Sequence, residues 1–417
     1  MNVTTFTLAT LVTSEALACG GFLCDPDVPV PPSQSSERIV FVVNPVAYDA
    51  PPGGIVEAWP IESEAPMDGE RSVDVYIEVA YAGAAASFAW VVPVLGPPLL
   101  VGTAGREMFD EIDRATAPRF HFTTGLAQIS GYEDSSGSDC DCAPMGEGGS
   151  YGDDSFSSEP QVTLLGKERV GPYEVAVVQS ENAIDLWDWL FFNGYALPVE
   201  AEEILEDYVA EQKTFVAFRL ADDQGLGAVE PVVLRVPGGE PCIPLRLTRI
   251  ATQPILDVTA IVLADGLATS VPYTAALVDH DAVRPTSPTD TDYAQRLRDA
   301  VVTAGGRAFA TEFATAAGGL VVKDEGLAAM LDRSAHVTRL STRIAAADMM
   351  LDPIFTITER SDEVPNEHRV DISDDPEAQR ILLGATASGA TRGRGTPAWA
   401  LGLVLAAALV GRRRPVG

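Results

Sequence analysis

Basic residues are scarce in this sequence. Its 417 residues contain 28 Lys and Arg against 60 Asp and Glu, which gives a formal net charge of −32 at pH 7. A surface of this charge repels phosphate backbones and anionic lipid headgroups. The composition therefore argues against nucleic acid as a partner, and we expect most of the acidic side chains to be solvated.

Histidine and cysteine are scarce as well, with four and five copies. The histidines stand singly along the chain, and no cysteine pair has the doubled CxxC spacing of a zinc ribbon. HExxH motifs, Walker loops and a GxGxxG that opens a helix are absent. We therefore expect no cofactor, and the sequence favours a protein that is not an enzyme.

Apolar residues make up 46% of the chain, enough for packed cores. The stretch SVDVYIEVAYAG alternates apolar and acidic residues with the period of a half-buried strand. A helix is predicted from an N-cap at Ser180 to Gly194, with Ile184, Trp187 and Leu190 on its apolar face. Because predicted helices come in clusters, the expected fold class is α+β, mostly antiparallel sheets with clustered helices and one long acidic loop.

The composition divides the chain into six segments. These are a degraded signal peptide (1–18), a β-rich N-terminal region (19–130), an acidic Gly/Ser linker or loop (131–160), an α+β region (161–360), a polar linker (361–396) and a C-terminal apolar sorting or anchor segment (397–417).

Both ends of the sequence indicate export. Residues 1–18 end in Ala-Leu-Ala, the small-x-small pattern that signal peptidase recognises, although they carry Glu15 and lack a basic start. Cys19 would then be either the first mature residue or an acylated residue of a lipoprotein.

Near the other end, residues 397–410 are free of charge and precede Arg412 to Arg414. As a helix they rise about 21 Å, short of the roughly 30 Å hydrocarbon core, so a sorting tag fits better than a permanent span.

Few side chains suggest chemistry. Cys242 follows a Gly-Gly-Glu-Pro turn and could act as a nucleophile with His280 as base, although a turn cysteine in an oxidising compartment is more often half of a disulfide. Trp189 is a candidate for stacking on a sugar. Four aspartates in the acidic loop could ligate calcium, but their spacing matches no EF-hand and a solvated loop is favoured. These are Asp139, Asp141, Asp153 and Asp154.

Several blocks of the chain resemble one family of exported proteins, known mainly from myxobacteria as domain of unknown function 2330. They include ACGGFLC with ERIVFVV, FAWVVPV, LWDWLFFNGYALP, PCIPLRLT and VTRLSTRIAAADMMLDPIF, and they cover most of residues 18–358. The C-terminal tail resembles a myxobacterial sorting signal without its usual cysteine. The resemblance implies export and brings no reaction, ligand or catalytic residue.

The predicted function is that of an exported, envelope-associated protein, most simply a surface binding or structural module. It would meet the membrane through its C-terminal segment, with an envelope protein or a polysaccharide as a further partner. The alternative is a secreted hydrolase-type enzyme that uses carboxylates or the Cys242/His280 pair.

The cysteines provide a direct test of export. We expect a local disulfide between Cys19 and Cys24, because the glycines between them can take the positive φ angles of a tight ring, and a second one from Cys242 to Cys140 or Cys142. Mass spectrometry of the non-reduced mature protein should find the Cys19–Cys24 peptide. A diacylglyceryl mass on Cys19 would indicate the lipoprotein instead, and five free thiols would contradict an oxidising compartment.

Overall fold

A computed structural model describes residues 33–44, 53–61, 71–82, 89–124, 161–195, 200–221, 229–238, 240–360 and 362–384. These residues form 17 strands and seven α-helices. Most of the strand pairings are antiparallel. The predicted α+β class is therefore confirmed.

The strands are β1 (Ser33–Asn44), β2 (Ile55–Pro60), β3 (Ser72–Ala82), β4 (Ala89–Val94), β5 (Leu100–Ala104), β6 (Arg119–Thr123), β7 (Val162–Val170), β8 (Tyr173–Ser180), β9 (Thr214–Leu220), β10 (Val232–Pro237), β11 (Thr252–Ala264), β12 (Leu267–Val271), β13 (Thr274–Ala275), β14 (Ala308–Ala316), β15 (His336–Ala345), β16 (Ile354–Thr358) and β17 (Glu367–Asp371). The α-helices are α1 (Arg106–Thr116), α2 (Ala183–Phe192), α3 (Ala201–Ala210), α4 (Leu245–Thr248), α5 (Tyr293–Thr303), α6 (Glu325–Asp332) and α7 (Pro376–Leu382).

The largest element is a nine-stranded sheet with the order β13-β14-β15-β11-β1-β3-β10-β5-β2. Strand β1 pairs antiparallel with β3 on one side and parallel with β11 on the other. Strand β10, from the second half of the chain, lies between β3 and β5 of the first half. The regions 19–130 and 161–360 therefore build one sheet together.

A second sheet has four strands in the order β4-β9-β8-β7, and it packs face to face on the large sheet. Alternate residues of β4, β8 and β9 face the large sheet, among them Trp90, Val175 and Phe218. The residues between them face the other way, where α2 and α3 cover them. Strands β4, β8 and β9 of the small sheet are thus buried on both faces.

Helices α1 and α6 cover the outer face of the large sheet. In β1, Ile39 and Phe41 face the small sheet, whereas Val40 and Val42 face these helices. All four side chains are buried. Burial on both faces explains why this strand is a continuous apolar run instead of an alternating one. The order of layers is helices, nine-stranded sheet, four-stranded sheet, helices.

Helix α2 differs from its predicted form. Its N-cap is Asn182, whose side chain accepts a hydrogen bond from the backbone N–H of Ile184. The buried residues are Ala183, Leu186 and Leu190, while Ile184 is 61% exposed. The expected start at Ser180 was wrong, because β8 extends to Ser180. Of the expected apolar face, Leu190 is buried and Trp187 packs against the same cluster, whereas Ile184 is exposed.

The segment 361–396, predicted as a polar linker, contains β17 and α7 in its described part. Strand β17 pairs parallel with β6, and Val370, Ile372 and Ala378 pack with Phe122 and Val283 into a small apolar cluster. Pairing with β6 and this cluster therefore attach the described part of the segment to the rest of the fold.

Among the described residues, no helix combines the length and the apolar content that crossing a bilayer requires. The apolar stretch 397–410 and residues 1–18 lie outside the described residues.

A buried ion pair crosses the middle of the large sheet. Asp74 on β3 is fully buried and accepts two hydrogen bonds from Arg235 on β10, at 2.6 Å from Nε and 2.9 Å from Nη2. These residues are directly paired across the two strands. Since Arg235 is also buried, loss of either partner would leave a charge away from water.

We expect Asp74→Ala to lower the free energy of unfolding by about 3–5 kcal/mol, because it leaves the Arg235 guanidinium buried without its carboxylate. The matched control is Asp257→Ala. Asp257 on β11 also accepts from an arginine on the neighbouring strand, Arg343, but the side chains are 48% and 27% exposed. Urea denaturation should give a loss of about 1 kcal/mol or less for the control. Equal losses would contradict this account.

Candidate functional site

A cavity of about 70 Å³ lies between the two sheets. Its walls come from β1, β3 and β10 of the large sheet and from β4 of the small one. The ends of α3 and α4 and the loop before β16 complete it. The lining from these four strands is apolar except for one side chain, Glu37.

Glu37 belongs to the face of β1 that carries Ile39 and Phe41, so its carboxyl points into the layer between the sheets. The residue is 4% exposed. Among the described residues, its side-chain hydrogen-bond partner is Gln34, whose Nε2 donates at 3.2 Å. Burial raises the pKa of Glu37 to about 7, against a smaller lowering by this hydrogen bond. The carboxyl is therefore a proton-exchanging group near neutral pH.

The cavity has an inner end and a mouth. Glu37 is paired with Val79 on β3, whereas Val236 and Pro237 at the other end are paired with Val73 and Ser72. The lining thus extends over about 20 Å of strand, at roughly 3.3 Å per residue. Leu95 and Glu240 line the mouth and are exposed. Because a volume of about 70 Å³ extends over this length, the cavity is a narrow slot.

One wall holds a second carboxylate, Asp352, whose oxygens are already occupied. Its Oδ1 accepts from the Arg246 backbone N–H at 2.9 Å. Its Oδ2 accepts from Arg246 Nε at 3.0 Å and from the Tyr208 hydroxyl at 2.8 Å. Arg246 also bonds both carboxylate oxygens of Glu211 and lies 4.2 Å from the Tyr208 ring centroid. This network fixes α3, α4 and the loop before β16 to each other.

Cys242 also lines the cavity and is a free thiol among the described residues, while its predicted disulfide partners Cys140 and Cys142 lie outside them, so that pairing stays a prediction. The residue forms an isolated β-bridge with Ile354. Burial and the nearby Asp352 raise the pKa of the thiol to about 12. The other four cysteines, Cys19, Cys24, Cys140 and Cys142, lie outside the described residues, as do Asp139, Asp141, Asp153 and Asp154.

The structure does not bring His280 to Cys242. His280 lies in the cluster formed by β6, β17 and α5, where its ring stacks on His368 with centroids 3.8 Å apart. Phe120 and Tyr293 pack around the pair. Burial lowers the pKa of both histidines, and for His368 the neighbouring His280 lowers it further. These rings are thus held mainly in the neutral form, as an aromatic contact.

Trp189 on α2 is half-buried and stacks on Tyr195, with ring centroids 6.2 Å apart and an interplanar angle of 20°. Its indole therefore packs against this protein's own aromatic ring. Within the described parts of the chain, no group of three or more His, Cys, Asp or Glu side chains could hold a metal ion.

The fold and the cavity define an α+β protein of two face-packed sheets with a slot between them. A family model described as "Uncharacterized protein conserved in bacteria (DUF2330)" matches residues 63–356. This is more than half of the chain, so the protein belongs to that family, as the sequence resemblance predicted. No curated protein and no solved structure matches the chain.

Glu37 was missed by the sequence arguments, although a signal was present. In the stretch ERIVFVV it shares a strand face with Ile39 and Phe41, and a lone carboxyl on an apolar face is unusual. The apolar run alone does not say which of its faces meets a cavity. That depends on β4, which is distant in sequence.

We expect Glu37→Gln to stabilise the protein at pH 8 but not at pH 4. The native state keeps the Glu37 proton up to about pH 7, whereas the unfolded state releases it near 4.5. Protonated Glu37 therefore contributes to the free energy of unfolding below pH 4.5. This contribution is lost as the pH rises through 7, and the wild type is then less stable by about 3 kcal/mol.

Urea denaturation of wild type and variant from pH 4 to pH 8 measures this difference. Glu57→Gln, which removes an exposed carboxylate from β2, is the matched control. A gain from Glu37→Gln that is the same at both pH values would contradict the titration of Glu37.

Proposed function

We propose that this protein is an exported, envelope-associated binding protein and that the cavity between its sheets is the ligand site. The observation that carries the proposal is Glu37, a buried carboxyl with one amide partner among the described residues, which faces a slot whose strand walls are otherwise apolar. An apolar pocket with a few placed polar groups is the usual form of a small-molecule site.

The chemistry of the lining supports binding over catalysis. A nucleophilic cysteine needs a lowered pKa, and that of Cys242 is raised. Asp352 accepts three hydrogen bonds, which leaves it a structural part of the wall. A hydrolase that uses Cys242 with His280 is not supported, because His280 lies with His368 and Tyr293.

The location rests on the two ends of the sequence, with the Ala-Leu-Ala site before Cys19 and the apolar stretch before Arg412. The tail would act as a sorting signal of the myxobacterial type. Cell fractionation with and without residues 397–417 tests this part. The full chain should be found with membranes and the shortened chain outside the cytoplasm, whereas cytoplasmic location of both would contradict it.

A partner surface is a further part of the proposal. Helix α2 exposes Ile184, Phe191 and Phe192, at 61%, 61% and 76%. Exposed apolar side chains on one helix are typical of contact with another protein. An envelope protein is favoured over a polysaccharide, since Trp189 is engaged with Tyr195.

Methyl NMR tests the ligand site directly. We expect n-propanol, a small neutral probe, to shift the valine methyl signals of Val73, Val75 and Val236, which line the slot. The methyl signals of Val283 and Val301 should stay in place, because these residues are buried in other clusters.

The control variant is Val75→Phe, which fills the slot from a half-buried position. It should remove the shifts of the lining residues while the thermal unfolding of the protein stays cooperative. Shifts of equal size at Val283 and in the slot, or shifts that survive Val75→Phe, would overturn the site.

A further inference from the structure

We propose that the cavity takes the ammonium end of a short, unbranched primary alkylamine, with the ammonium donating to Glu37. This inference rests on the proposed function, because it names the ligand class of the same slot.

Charge favours a cation at this site. Three carboxyls, Glu37, Glu240 and Asp352, line the cavity together with one lysine, and of these carboxyls Asp352 is already paired with Arg246. The lysine is Lys213, whose Nζ lies 3.8 Å from Glu211 and is therefore partly neutralised. The protein as a whole carries a net charge of −32, which draws cations towards its surface. An anionic ligand would meet repulsion at the mouth and again at the inner end.

Hydrogen bonding distinguishes Glu37 from the other two carboxyls. Asp352 already has three donors, and Glu240 is exposed to water at the mouth. Glu37 has one amide donor from Gln34 and is shielded from water, so its carboxylate still has acceptor sites to offer. An ammonium brings three donors and an opposite charge, which together favour the ionised carboxylate.

The shape of the slot limits the rest of the ligand. At roughly 10–15 Å³ of such open space per water, a cavity of about 70 Å³ has room for about five water-sized groups. Valine and isoleucine side chains form the walls along β3, which favours an apolar chain there. A short methylene chain fits this space, and its remainder can extend past Leu95 at the mouth.

We expect binding of the amine to be coupled to the release of one proton from Glu37. The titratable groups that face the slot besides Glu37 are Tyr208, Lys213, Glu240, Cys242 and Asp352. Burial raises the pKa of Tyr208 and of Cys242 far above 7, so neither changes its charge between pH 6 and pH 8. Glu37, with a pKa of about 7, is the group that must release its proton when the ammonium enters.

The experiment measures dissociation constants of n-propylammonium, n-propanol and propionate by calorimetry or methyl NMR at pH 8 and pH 6. We expect n-propylammonium to bind about tenfold more tightly at pH 8, because Glu37 is mostly ionised there and mostly protonated at pH 6. Calorimetry in two buffers of different ionisation enthalpy at pH 6 should show the release of about one proton per amine bound.

Variants separate the role of Glu37 from the rest of the slot. Glu37→Gln should weaken n-propylammonium binding at least tenfold at pH 8 and abolish its pH dependence, while leaving n-propanol binding in place. The matched control Glu57→Gln removes a carboxylate from exposed β2 and should change the affinity for neither ligand.

A free alkylamine and a lysine side chain both present a primary ammonium, so Nα-acetyl-lysine amide is titrated in parallel. Tighter binding of the lysine derivative would assign the site to a lysine side chain, and tighter binding of n-propylammonium to a free amine.

Failure of the proposed ligand class and failure of the proposed binding function give different results in these experiments. Binding of n-propanol with no preference for n-propylammonium, or an affinity that ignores Glu37→Gln, would overturn the ligand class and leave the binding site standing. No binding of any of the three probes, with no methyl shifts in the slot, would overturn the proposed function itself and indicate a cavity that holds water only.

Discussion

The apolar contact between the two sheets is the constraint on which the rest of this structure depends. It buries one face of β1, β3, β10 and β11 against β4, β8 and β9. Each sheet then needs a helical cover on its other face, and α1 with α6 and α2 with α3 supply it. Since strands from both halves of the chain meet in the large sheet, neither half could bury its apolar face without the other.

Polar groups inside these layers fall into two kinds. Asp74 and Arg235 satisfy each other within the sheet, so their charges are compensated where water cannot reach. Among the described residues Glu37 has one amide for a partner, and its burial makes the carboxyl resist ionisation. A compensated pair of the first kind destabilises the fold only when one partner is removed, whereas a group of the second kind destabilises the native state at neutral pH. This destabilisation by buried Glu37 is the reason for assigning a ligand to the slot.

Two interpretations of single residues changed for geometric reasons. Cys242 follows a turn in sequence and was a candidate nucleophile, but its backbone bridges to Ile354, its side chain lines the slot and the pKa of its thiol is raised. The histidines stand far apart in sequence, yet His280 and His368 stack because β17 returns to pair with β6. Cys242 and Ile354 are more than a hundred positions apart in the sequence, and His280 and His368 are nearly ninety positions apart. Neither contact could be predicted from local sequence.

The sequence by itself determined the α+β class, the strand character of stretches such as SVDVYIEVAYAG and ERIVFVV, and the family, because these follow from local periodicity and residue type. Tertiary structure alone decided which apolar residue of α2 is buried and where Glu37 points. A strand pattern fixes which residues share a face, but only the partner sheet decides whether that face meets a packed core, a cavity or water.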